Sequence, residues 1–267
     1  MRIVLAEPLG IAPSILERLS QSVAEHDFVA YDSRPADSAD LVARVKDTDV
    51  AIIANYPFSN EAIAQCPALK MLSVAFTGTD HVGLDACKAQ GIAVSNAAGY
   101  STDAVAELVF GFMIALSRFM LPCDAATRAS QNKGNMIGTE LKGKTLGIIG
   151  TGSIGLRVAE IGKAFGMDII AYSRSEKQAA LDMGIRYVAL DTLMAESDFV
   201  SVNCPLNAST KGLINKEAIA KMKPTACLIN TARGPVVDSQ ALADALNNDA
   251  IRGAGIDVFE VEPPIAG

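Results

Sequence analysis

The sequence predicts an α/β protein whose parallel sheets are laid out in two successive blocks. Three observations carry this. Short apolar runs recur along the chain and alternate with amphipathic stretches, the pattern of strands joined by crossover helices. One such unit, Thr145 to Tyr172, contains the glycine spacing G-x-G-x-x-G between its first strand and its helix. Three later strands end in clusters of polar residues, which core packing alone does not explain.

The first block runs to about residue 97. Apolar runs at Ile3–Leu5, Phe28–Tyr31, Val50–Ile53, Met71–Val74 and Ile92–Val94 read as strands, with amphipathic stretches such as Ile11–Leu19 and Leu41–Val45 between them. That alternation implies a parallel sheet covered on both faces. Ligands of such sheets meet the carboxyl ends of the strands. Two loops fall there, Ala54-Asn55-Tyr56-Pro57 and Ala75 to His81. Thr77-Gly78-Thr79 could offer backbone N–H groups to a small carboxylate, or could be an ordinary glycine turn. His81 follows Asp80 in that turn and reads as a hydrogen-bonded loop residue rather than a catalytic base.

Gly99-Tyr100-Ser101-Thr102 marks the passage to the second block. Ser101 or Thr102 can cap the helix that follows, with Asp103 in its first turn. That helix, Ala104 to about Phe119, is apolar almost all round (Val105, Leu108, Val109, Phe112, Met113, Leu116), so it packs on several sides, within the subunit or against a second copy. After Pro122, the polar stretch Arg128 to Lys144 reads as a helix end and a connection.

Thr145–Ile149 is then a buried strand, Gly150, Gly152 and Gly155 form the turn, Ile154 to Phe165 has helical spacing, and Ile169–Tyr172 closes the unit. The first glycine permits the turn, the second lets a pyrophosphate approach the backbone, and the third lets the helix pack close to the sheet. The helix start presents free N–H groups and its positive dipole end to phosphates. The unit therefore reads as a dinucleotide site. About twenty residues on, where an NAD-binding unit places an acid for the ribose hydroxyls, the chain has Ser173, Arg174 and Ser175, with Lys177 nearby. Hydroxyls and a planar cation suit a 2′-phosphate, so NADP is favoured over NAD. Further strands follow at Phe199–Val202, Cys227–Ile229 and Gly253–Ile256. They end in Asn203-Cys204-Pro205-Leu206-Asn207, in Asn230-Thr231-Ala232-Arg233-Gly234 and in Asp257.

At 267 residues, half of them hydrophobic and a fifth charged, the chain can bury one large core or two ordinary ones. Its net charge of -7 argues against nucleic acid or an anionic membrane as partner. Five scattered cysteines without a CxxC pair read as reduced residues of a cytoplasmic protein, and no metal site is expected. The longest apolar run, Leu108 to Leu116, is too short to span a bilayer. Met1 to Ala6 runs into Glu7 as a first strand would, without a signal peptide.

Gly150–Gly155, Asn230 to Asp238 (NTARGPVVD) and Asp257 to Pro263 (DVFEVEP), together with the helix start Ser101 to Leu108, resemble the D-isomer-specific 2-hydroxyacid dehydrogenases over essentially the whole chain. The resemblance implies two Rossmann-like domains with the active site in the cleft between them: a flavodoxin-like substrate domain, 1–98, and a dinucleotide-binding domain, 99–267. It also implies a homodimer. Arg233 resembles the family's substrate-binding arginine, which would clamp the carboxylate of a 2-oxo acid and polarise its carbonyl. Glu262 resembles the acid that pairs with a catalytic histidine. Tyr56, Thr77 and Gly78 are the expected substrate contacts. The expected cofactor contacts are Thr102, Gly150, Gly152, Ser153, Ile154, Gly155, Ser173, Arg174, Cys204, Pro205, Thr210, Thr231, Ala232 and Asp257.

The family's catalytic histidine lies in a Pro-His pair beyond the Glu-Pro segment, and a last helix follows it. The sequence ends at Gly267 before both, and neither His26 nor His81 matches the position. The expectation is a missing C-terminal segment, and a span that binds cofactor better than it turns substrate over. The loop Asn55-Tyr56-Pro57-Phe58 carries no cation, which favours glyoxylate or hydroxypyruvate over phosphoglycerate as the 2-oxo acid or its partner. The same motifs also serve NAD(H)-sensing corepressors, a binding function that Arg233 and Glu262 fit less well.

Overall fold

The computed structural model describes residues 1–262; Pro263, the end of the Glu-Pro segment, lies outside the described residues. The chain divides into two compact units, Met1–Tyr100 and Ser101–Gly267. Both are built on parallel sheets, so the predicted class is borne out.

Unit one runs β1 (Arg2–Leu5), α1 (Pro13–Ser22), β2 (Asp27–Ala30), α2 (Ser38–Val45), β3 (Val50–Ile53), α3 (Asn60–Ile63), β4 (Met71–Val74), α4 (Leu84–Gln90) and β5 (Ala93–Asn96). Its sheet has the order β2-β1-β3-β4-β5, the flavodoxin-like arrangement, and the order reverses between β1 and β3. The core lies under one face, where Val4, Ala51, Ile53, Leu72 and Val74 meet Leu41, Val45 and Ile63. The second face is covered more thinly than the first. In β3 and β4 buried residues alternate with half-buried ones, and α1 buries no residue. The cause is composition: α1 reads PSILERLSQS, too polar to seal a sheet, and Ile15 is exposed.

Unit two runs α5 (Thr102–Ser117), α6 (Met120–Arg128), β6 (Thr145–Ile149), α7 (Ser153–Ala164), β7 (Asp168–Tyr172), α8 (Gln178–Asp182), β8 (Arg186–Tyr187), α9 (Leu190–Glu196), β9 (Phe199–Val202), α10 (Lys216–Ile219), β10 (Cys227–Asn230), a short 3-10 turn (Gly234–Val236), α11 (Ser239–Asn247) and β11 (Gly253–Ile256). The sheet order is β11-β10-β9-β6-β7-β8, a doubly wound sheet that reverses between β6 and β9. Here both faces are packed, and β9 and β10 are buried throughout. One layer carries Ala106, Val109, Phe110 and Met113 of α5 with Val158 and Ala159 of α7; the other carries Leu193, Ile219 and Leu242.

Two local readings are corrected. Ser101 stands at the start of α5 but makes no side-chain cap bond there, because its φ of -111° and ψ of 10° leave the extended geometry a cap needs. The helix expected from Ala104 to about Phe119 ends at Ser117, and a second helix, α6, follows with Pro122 in its first turn, where proline removes no intrahelical hydrogen bond. No single helix among the described residues is long and apolar enough to cross a membrane.

Candidate active site

The glycine turn lies at the carboxyl end of β6, where the strand order of unit two reverses. Gly150 has φ +96°, a conformation that L side chains rarely adopt. A Cβ on Gly155 would stand 2.0 Å from the Gly150 carbonyl oxygen, so the helix start can press against the turn only without a side chain. A Cβ on Gly152 would meet nothing within 4 Å, which leaves that face open to a ligand. The Leu156 N–H donates to the Gly152 carbonyl at 2.9 Å and closes the first turn of α7, leaving the earlier amides of Ser153, Ile154 and Gly155 without intrahelical acceptors. That turn holds no acid and no side-chain cap, so nothing offsets its positive end.

Across the reversal, β9 and β10 bring up polar groups. The Thr231 hydroxyl and Asn203 Oδ1 are buried with no hydrogen-bond partner among the described residues. Buried polar atoms ordinarily find partners, and two orphans at the same sheet edge as the glycine turn fit a polar ligand. Open amides at the start of α7 and two orphaned oxygens at the ends of β9 and β10 are features that a nicotinamide dinucleotide would fit. Ser173 is half-buried and Arg174 exposed, and Arg174 makes no ion pair among the described residues. Thr102 and Ser153 share a groove of about 520 Å³ with Leu156, Arg157 and Glu160.

Other expected contacts have local duties. The Thr210 hydroxyl donates to the Pro205 carbonyl at 2.6 Å and accepts from the Asn207 N–H at 2.9 Å, so it staples its own loop. Burial pushes the Cys204 thiol up to about 11, so it is protonated at neutral pH and serves packing. Its backbone nitrogen would be 2.9 Å from a Cβ on Gly150.

Arg233 follows β10 on a turn built by its neighbours. Asn230, 1% exposed, donates to the Arg233 carbonyl at 3.0 Å and accepts from the Ala232 N–H at 3.1 Å. The Arg233 guanidinium donates to the Ala232 carbonyl at 2.8 Å. At Gly234 the chain touches the segment after β11: a Cβ there would be 2.0 Å from the Phe259 carbonyl carbon. Arg233 and the Asp257–Glu262 segment are thereby held beside each other. Crowding by the protein raises the Asp257 carboxyl above its ordinary range, and the Glu262 charge adds to the shift. Glu262 is exposed and accepts from the Phe259 N–H at 3.0 Å.

In unit one the expected substrate loops are stitched together. The Phe58 N–H donates to the His81 carbonyl at 2.9 Å and the Gly83 N–H to the Phe58 carbonyl at 2.8 Å, around a fully buried Phe58 ring. Asn96 donates to the Thr77 carbonyl at 2.7 Å; Thr77, Gly78 and Tyr56 are each half-buried.

Sequence reasoning missed Glu7 and Arg34. Glu7 is 1% exposed, and its Oε1 accepts from the Ala54 N–H at 2.8 Å and the Tyr56 N–H at 2.9 Å. Arg34 lies 3.8 Å from the other Glu7 oxygen, donates to Asn55 at 3.1 Å and stands over the Tyr56 ring at 5.8 Å. The loop itself carries no cation, as its sequence says, and one reaches it from beyond β2. The signal was a glutamate ending an apolar first strand, a position where a buried charge needs partners.

The D-isomer-specific 2-hydroxyacid dehydrogenase NAD-binding domain matches residues 110–267. Similar proteins include a glyoxylate reductase of Thermococcus litoralis, 40% identical over 84% of this chain and 70% of its own length. A hydroxypyruvate reductase of Thermotoga maritima is 39% identical over 92% of this chain and 80% of its own. The solved structure of an acyclic imino acid reductase in complex with NADPH and D-Arg superposes with a TM-score of 0.90 at 32% identity, covering 99% of this chain and 85% of that one. With the glycine turn, the Arg233 turn and the doubly wound sheet in place, the chain belongs to the D-isomer-specific 2-hydroxyacid dehydrogenase family.

Proposed function

We propose that this protein interconverts a small 2-oxo acid and its D-2-hydroxy acid by hydride transfer with NADP(H), NAD(H) being the lesser cofactor. The observation that carries the reading is the Arg233 turn, fixed by Asn230 and Gly234 on the same sheet edge as the orphaned Thr231 hydroxyl. In this reading the bound nicotinamide supplies the hydride. Arg233 binds the substrate carboxylate and draws electron density from the carbonyl oxygen. Asp257 would meet the carboxamide of the nicotinamide, and Glu262 is the carboxylate that would orient a proton donor. Thr77, Gly78 and Tyr56 contribute the substrate contacts of residues 1–98, and residues 99–267 hold the cofactor.

Relatives that reduce glyoxylate and hydroxypyruvate support a small, unphosphorylated substrate. Arg34 does not overturn this, since Glu7 and Asn55 already engage its guanidinium and a phosphate would have to compete with both. Ser173 and exposed Arg174, in place of an acid, support NADP. Exposed Met120, Leu121 and Ile137 support a homodimer joined through unit two, and the five free cysteines support the cytoplasm. The test is a panel of 2-oxo acids with NADPH and NADH, run on the full-length gene product and its Arg174→Ala variant. The reading expects glyoxylate or hydroxypyruvate to oxidise NADPH, with the NADPH advantage falling about tenfold in the variant, as for one lost charge-assisted contact. A clear preference for NADH in wild type refutes the cofactor assignment, and inertness to every 2-oxo acid with either cofactor refutes the substrate class.

A further inference from the structure

We propose that Tyr187 is a positioning residue for the adenosine half of the dinucleotide, its hydroxyl clamping the turn after β7 onto the glycine turn. The proposal rests on the reading of unit two as a dinucleotide site. The Tyr187 hydroxyl donates to Thr151 Oγ1 at 2.8 Å and accepts from the Lys177 N–H at 3.0 Å. Thr151 is the residue between Gly150 and Gly152 and is 2% exposed, so its side chain faces inward from the pyrophosphate turn. Lys177 closes the Ser173–Lys177 segment, where the adenosine ribose would sit. One phenol thus joins the two backbone segments that the adenosine half must meet together.

The strand that carries it is minimal, and its tyrosine ring also packs against the sheet core. β8 is two residues long and lies at the edge of the sheet, paired only with β7 through Ile170↔Arg186 and Ala171↔Tyr187. Arg186 points outward to an exposed pair with Glu196. A tyrosine serving packing alone could as well be phenylalanine. Here both the donor and the acceptor function of the hydroxyl are used, one on each segment. Without it, the Lys177 N–H and the Thr151 hydroxyl each lose a partner and the spacing between the segments is no longer fixed. Cofactor binding must then order them, which lowers affinity.

The experiment is calorimetric titration of the full chain with NADPH, NADH, ADP and nicotinamide mononucleotide, for wild type, Tyr187→Phe, Thr151→Val and the double variant, with thermal melts alongside. Tyr187→Phe should raise Kd about three- to tenfold for both dinucleotides and for ADP, the size of one or two lost hydrogen bonds, and leave the mononucleotide unchanged. Thr151→Val removes the partner while keeping the ring and should act in the same direction. The double variant should bind no more weakly than the product of the two single effects, and less weakly if the contact is shared. Tyr187→Phe binding ADP and NADPH as wild type does, even with a lowered Tm, would make the tyrosine a structural prop and overturn the proposal alone. A wild type that binds no dinucleotide would overturn the cofactor reading with it.

Discussion

Replacing Gly234 by alanine should damage this protein more than any other single methyl group near the Arg233 turn. The added Cβ would lie 2.0 Å from the carbonyl carbon of Phe259, 2.1 Å from its oxygen and 2.4 Å from the Glu260 nitrogen. Carbon atoms in contact sit about 3.5–4.0 Å apart, so one segment must retreat by roughly 1.5 Å. The opposing atoms are backbone and cannot escape by a rotamer change. Overpacking of this kind costs about 1–3 kcal/mol, and backbone opposition puts the expectation at the upper end, about 2–3 kcal/mol. A displacement on the order of 1 Å near reacting groups costs about a hundredfold in rate. Urea unfolding and kcat/KM with the preferred 2-oxo acid read the two effects separately. Gly111→Ala is the control, since its Cβ would meet nothing within 4 Å and its helix gains from alanine. If Gly234→Ala were as stable and as active as wild type, the contact between the Arg233 turn and the 257–260 segment would not hold the site.

Further outcomes follow from the same geometry. Glu7→Ala should cost about 2–4 kcal/mol in urea unfolding, because two half-buried N–H groups lose their buried acceptor, while Glu7→Gln should cost less by keeping one acceptor oxygen; equal losses would contradict the double acceptance. Native protein at pH 8 should react with a thiol reagent at Cys123 well before Cys66, Cys204 and Cys227, which burial pushes up to about 11; mapping of labelled peptides checks this, and early labelling of Cys204 would refute it. Asp257 binds its proton more tightly folded than unfolded, so its contribution is most favourable in acid and is lost as pH rises from the ordinary aspartate value of 3.8 through the higher folded value. Stability of wild type measured against Asp257→Asn should therefore decline across that window, and Glu262→Gln should lower the Asp257 titration followed by NMR; an upward move would refute the assigned charge contribution.

Strands were legible as short apolar runs: Phe199–Val202, buried throughout, and Gly253–Ile256, buried at alternate residues, were bounded as found. β8 was not, since Arg186-Tyr187 has neither length nor hydrophobicity. Its value lies in one hydroxyl reaching two segments distant in sequence, and no local pattern encodes that. α6 was hidden by Pro122, a breaker in a helix interior and harmless in a first turn. The glycine and Arg233 turns were readable because each demands particular residues at fixed spacing. The orphaned Thr231 hydroxyl and the reach of Arg34 to the Tyr56 ring depend on which strands lie side by side, and only the fold supplies that.

The most direct measurement is the rate of NADPH oxidation on adding hydroxypyruvate, compared between the full-length gene product and its Arg233→Ala variant, with cofactor affinity determined on both. The account predicts cofactor affinity unchanged within about twofold and a loss of about 10²–10³ in rate, the scale of one missing transition-state donor. Equal rates in the two proteins would contradict it, because the guanidinium would then take no part in the reaction.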